Sequence, residues 1–155
     1  MKKGKLMVLG ALAALAVIAG CGGGEDTTDS SAIALSKTQF IKQGDAICKK
    51  GNEKNETEAE KFAKENGFEL ESARKIQLEE LVEEVLIPGL DQQAKEIDAL
   101  GPPEGDEERV EAIVVSLEDA AGEIEDEPSL AFEGKALEEP SKLAADYGFQ
   151  VCGEV

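Results

Sequence analysis

Few side chains in this sequence have the type and spacing to do chemistry. They are three cysteines, Cys21, Cys48 and Cys152, and a dense stretch of carboxylates, "LEELVEEV", in which Glu79 and Glu80 face Glu83 and Glu84 one helical turn on. Histidine is absent, which removes His-based triads, His-bearing metal sites and the Glu-x-x-His pairs of di-iron bundles. Two cysteines and carboxylates make a poor zinc site, and neither a P-loop nor a GxGxxG pattern occurs. Like charges one turn apart repel by about 0.2–0.5 kcal/mol per pair, so a hard cation such as calcium or magnesium would be accepted there. A solvated face opposite an apolar stripe accounts for the same glutamates, and "EIEDEP" at 123–128 reads the same way. With 34 acids, accidental carboxylate pairs are many, so a glycosidase-like pair has nothing to single it out. No catalytic residue, cofactor or metal ligand is assigned.

Cys21 has a different context. Lys2, Lys3 and Lys5 open the chain, Leu6 to Gly20 is mostly apolar, and a small-residue exit follows. These are the three parts of a secretory signal peptide. The apolar run of fifteen residues is short of the roughly 20 needed to span a bilayer, which opposes the alternative of an uncleaved anchor. Ile18-Ala19-Gly20-Cys21 resembles the lipobox of bacterial lipoproteins. That resemblance implies cleavage after Gly20, a diacylglycerol thioether on Cys21 and a partner in membrane lipid. Two or more acyl chains hold a protein stably, at about 0.8 kcal/mol per buried methylene. The expected organisation is a signal peptide over 1–20, a lipidated cysteine and flexible linker over 21–36, and a helical domain over 37–155. As a coil, the glycine-rich and polar linker reaches roughly 20 Å.

The formal charge of the whole chain is −18, and cleavage would remove three lysines and no acid. So acidic a domain is a poor partner for nucleic acid, which requires clustered Lys and Arg. It would also stand off anionic headgroups, leaving the lipid as the attachment.

Export would place Cys48 and Cys152 in an oxidising compartment, where they have one possible intramolecular pairing. Closing a loop of about 100 residues is worth up to roughly 4.7 kcal/mol in the chain-entropy account. Two buried free thiols or a redox-active pair are the other readings. The second lacks both a Cys-x-x-Cys spacing and a neighbour that would depress a thiol pKa.

The elements that must position these residues read as helices. Ser36 or Thr38 caps the first, which carries Phe40, Gly44, Ile47, Cys48 and Gly51 on one face, continues past Phe62 and ends at Gly67. Gly44 and Gly51 flank Cys48 by about one turn each. They read either as a slot that lets the C-terminal segment approach or as a fraying helix. Asn55-Glu56-Thr57 matches a glycosylation pattern, incidental behind a bacterial signal. A second helix over Leu70 to Leu100 carries Leu78, Leu81, Val82, Val85 and Leu86 inward, with a kink or break expected at Pro88. "GPPEG" at 101–105 stops it. A third helix starts near Glu104 to Asp106, shows Val110, Ile113, Val114, Leu117, Ala121 and Ile124 at helical period, and stops before Pro128. Leu130, Phe132 and Leu137 should pack as a short helix or ordered loop. A last helix has Pro140 in its first turn, Leu143, Ala144 and Tyr147 inward, and Gly148 at its end. No β-strand pattern and no solenoid repeat is present. The fold expected is all-α, a small antiparallel bundle of about four helices.

Three stretches taken in order, Phe40-Ile41-Lys42-Gln43-Gly44-Asp45-Ala46-Ile47-Cys48, Leu100-Gly101-Pro102-Pro103 and Tyr147-Gly148-Phe149-Gln150-Val151-Cys152-Gly153, resemble small uncharacterised envelope lipoproteins and secreted proteins of actinobacteria. The resemblance implies a helical domain with Cys48 and Cys152 paired, and it carries over no catalytic residue. The function expected is that of a non-enzymatic lipoprotein that binds or spaces an envelope component outside the cytoplasmic membrane. The alternative is a cation- or small-ligand-binding lipoprotein using acids near Pro88.

Overall fold

A computed structural model describes residues 35–154. The signal-like segment, Cys21 and most of the linker lie outside the described residues. The first long helix, α1 (Lys37–Glu65), begins where Ser36 Oγ accepts from the Gln39 N–H at 3.4 Å and Gln39 Oε1 accepts from the Ser36 N–H at 3.0 Å. This reciprocal box satisfies two amides that the helix itself leaves open. Of the two candidate caps Ser36 is the one used, and Thr38 lies inside the helix. The chain leaves α1 through Asn66 and Gly67, the latter at φ 70.

The next helical run begins later than its apolar stripe implies. Leu70–Ser72 forms a separate 3-10 turn, and α2 (Lys75–Leu81) starts only after Arg74, whose N–H donates to Gln77 Oε1 at 3.0 Å. A π turn (Val82–Leu86) then leads directly into α3 (Ile87–Asp98). The Ile87 N–H reaches Val82 O, five residues back. Pro88 has no N–H to donate and, in a regular helix, would press on the carbonyl of Glu84. Widening the turn by one residue accommodates it, so the expected kink or break appears as a π turn within a continuous helical path.

Helix α4 (Glu107–Asp126) has Glu107 and Glu108 in its positive first turn and ends two residues before Pro128. A short α5 (Ser129–Glu133) and a 3-10 turn (Lys135–Leu137) lead to α6 (Glu138–Tyr147). Phe132 is a correction to the sequence reading: it is 49% exposed. With only five residues, α5 can turn Leu130 and Ala131 onto the bundle, and the next position points away.

Helix α3 packs on α1 and α4, and α4 packs on α6. The result is an all-helical bundle, with no strand among the described residues. Its main core joins Phe40 of α1, Ile97 of α3, Ile113 of α4 and Tyr147 of α6 with Phe149 beyond it. A second cluster, around Val82, Ala120 and Ile124, lies beneath α5. A third joins Ala59 to Leu81 and Val85.

Candidate functional site

The two cysteines of the domain meet. Cys48 and Cys152 form a disulfide with Cα atoms 5.4 Å apart, fastening the segment after α6 across the first half of α1. Three further devices seat that segment. Gly148, at φ 123, reverses the chain out of α6 in a conformation that disfavours a side chain. Phe149 then drops into the core, 2% exposed, against Phe40 and Tyr147 with ring centroids 5.9 and 5.5 Å away. A Cβ at Gly44 would overlap the Phe149 ring, so the absence of a side chain there is what admits it. Finally, Asp45 Oδ1 accepts from the N–H groups of Gln150, Val151 and Cys152 at 3.0, 2.8 and 3.3 Å. A carboxylate thus satisfies three successive amides that no helix or sheet would otherwise pair.

The slot proposed from the glycine spacing is therefore real at Gly44. Gly51 does something else. Its open face receives the Gln93 side chain of α3, and Gly89 of α3 in turn receives the Asn55 side chain of α1. Each helix supplies a glycine notch for an amide of the other, and this draws the two backbones together. Asn55 Oδ1 is fully enclosed there without a hydrogen-bond partner.

At the start of α1 a charged cluster surrounds Tyr147. Its hydroxyl donates to Asp106 Oδ2 at 2.9 Å, Lys37 Nζ lies 4.0 Å from the ring centroid, and Arg109 Cζ lies 5.0 Å from it. Arg109 also donates to Asp146 O at 3.1 Å. Burial, followed by the hydrogen bond to Asp106 and that carboxylate's charge, holds the phenol well above its ordinary range, opposed by Arg109. The arrangement ties the starts of α1 and α4 to the end of α6.

Behind the disulfide lies a cavity of about 300 Å³. Its wall is mostly aliphatic, including Leu90, Ile113, Leu117 and Leu137, and Glu154 is the one charged side chain on it among the described residues. Gln93 and Ser141 also line it, each 7% exposed. The amide pair Gln93 and Asn55 separates this cavity from a more charged groove bordered by Lys50, Lys54 and Glu96.

The glutamates near Pro88 do not converge. Glu80, Glu83 and Glu84 are exposed, and Glu79 pairs with Lys75 at 3.4 Å. Among the described residues, no three acidic or sulfur side chains are grouped as a metal site would need. Cys21 lies outside the described residues. Sequence reasoning missed Asp45, Phe149, Gln93 and Ser141 as working positions. Only the polar Gln93, between apolar Leu90 and Ile97 and beside Ala94, left a signal.

No family model matches the chain, and no curated protein and no solved structure matches it.

Proposed function

We propose that this chain is a non-enzymatic, lipid-tethered binding domain of the bacterial cell envelope, held by an acylated Cys21 on the outer side of the cytoplasmic membrane. The Cys48–Cys152 disulfide carries this reading. Such bonds persist in oxidising compartments, and here the bond follows a signal-like segment and a lipobox in the same chain. Among the described residues no helix is long and apolar enough to cross a membrane. The acidic surface supports a partner other than nucleic acid, an envelope component or a small molecule.

The test is the intact mass of protein extracted from its native membrane. The expected product lacks residues 1–20, carries diacylglycerol on Cys21 and has its other two sulfurs joined. A chain that keeps residues 1–20 without acylation, or has free thiols at 48 and 152, overturns the reading. Cys21→Ala should shift the protein out of the membrane fraction.

A further inference from the structure

The cavity behind the disulfide has the composition of a ligand site rather than a packing defect. A packing defect in a helical core is apolar throughout and stays dry. Here Gln93 and Ser141, both 93% withdrawn from solvent, line a mostly aliphatic chamber that Asn52, Asn55 and Glu154 also border. Among the described residues the one enclosed polar side-chain atom without a hydrogen-bond partner is Asn55 Oδ1, on the same wall and packed against Gly89, so the Gln93 and Ser141 side chains contribute as polar groups bordering the cavity.

We propose that this cavity binds a small uncharged amphiphile, an amide or alcohol head toward Gln93 and Ser141 and an aliphatic or monocyclic body against Leu90, Ile113 and Leu117. This rests on the reading of the domain as a binding module and names its ligand class. The volume is about twice that of an engineered apolar cavity that admits benzene, which suits a ligand of about ten heavy atoms. Charge selects the head. Among the described residues the wall carries no cation to neutralise a carboxylate or phosphate, and Glu154 at its edge repels both. An amide or hydroxyl head both donates and accepts, as the Gln93 and Ser141 side chains do. Access runs past the C-terminal segment, because Val151, Cys152 and Glu154 form part of the wall.

The test is a titration of the full chain in phospholipid nanodiscs, with labelled methyl groups followed by NMR. Octanamide is the probe and octanoate its anionic counterpart. Octanamide should produce saturable shifts at the methyls of Leu90, Ile113, Leu117 and Leu137, and octanoate should bind at least about tenfold more weakly. Ser141→Ala and Gln93→Leu should each weaken octanamide several-fold. Ala131→Leu, on the cavity wall, should abolish binding in a chain whose remaining methyl spectrum is unchanged. Absence of saturable shifts, equal affinity for octanoate, or undiminished binding in both Ser141→Ala and Ala131→Leu overturns the proposal. A null titration with a normally acylated chain removes this site and leaves the tethered-domain reading intact. Binding by a chain found unacylated in its native membrane does the reverse.

Discussion

Asp45 Oδ1 stands 2.8 Å from the Val151 amide, joining residues 106 positions apart. The same oxygen also takes the N–H groups of Gln150 and Cys152, so the seating of the last segment depends on one carboxylate as well as on the disulfide. Asp45→Ala should lower unfolding stability by about 2 kcal/mol with the disulfide intact, since it leaves three amides without their acceptor. Asp45→Asn, which keeps one acceptor oxygen, should cost about half as much. Urea unfolding of the two variants checks the order. Equal stability of wild type and Asp45→Ala would contradict it.

Reducing the disulfide should cost up to about 4.7 kcal/mol, because the bond closes a loop with a sequence separation of 104. Hydrogen exchange should localise the first response. Amides at 149–152 should lose protection before those of α3 and α4, which pack on each other independently of the bond.

Two glycines in helices should respond in opposite directions to alanine. Gly44→Ala pushes a methyl into the Phe149 ring and should destabilise by about 1–3 kcal/mol. Gly122 of α4 has open space where its side chain would be, and Gly122→Ala should stabilise by about 0.8 kcal/mol through helix propensity alone. Thermal unfolding of both variants would show a fall in Tm for the first and a rise for the second.

Tyr147 is the one tyrosine, and the chain has no tryptophan, so its ionisation can be read directly by absorbance. Its folded pKa is raised, which means that folding favours the neutral phenol. That stabilisation is fully present below the ordinary value of 10.0 and declines as pH rises from there through the folded value. The phenolate signal should therefore lag behind that of free tyrosine and rise together with alkaline unfolding. Tyr147→Phe should abolish the phenolate signal, which confirms its assignment, and cost about 1.5 kcal/mol at neutral pH through the lost bond to Asp106.

Ser36→Ala should destabilise by about 1 kcal/mol through loss of the cap, whereas Thr38→Ala should change little. Chemical denaturation distinguishes them.

Much of this architecture was legible in the sequence because helices advertise themselves locally. The 3.6-residue recurrence of Val110, Ile113, Val114 and Leu117 located α4, and the two remaining cysteines had one partner each. What escaped notice depends on distant contacts. Asp45 reads as one more acid on an acidic helix until Val151 is folded beside it. Gly51 resembles Gly44 by spacing, yet one meets Gln93 and the other Phe149, a distinction that only the crossing of α1 and α3 makes. Phe132 misled because apolar character was taken as a sign of packing, while α5 is too short to bury every large side chain it carries. The cavity had no local signature, since its wall comes from α1, α3, α4, α6 and the last segment together.

The cross-link between α1 and the tail also sets how the domain responds to tension. A pull entering at Ser36 can unravel the chain only as far as Cys48, where the load passes to a covalent bond. Everything between Cys48 and Cys152 lies inside that closed ring and can be lengthened by no force applied from either side of it. Under strain, then, the slack is twelve residues of α1, about 40 Å when fully extended, and the cavity wall within the ring keeps its sequence hidden from the load.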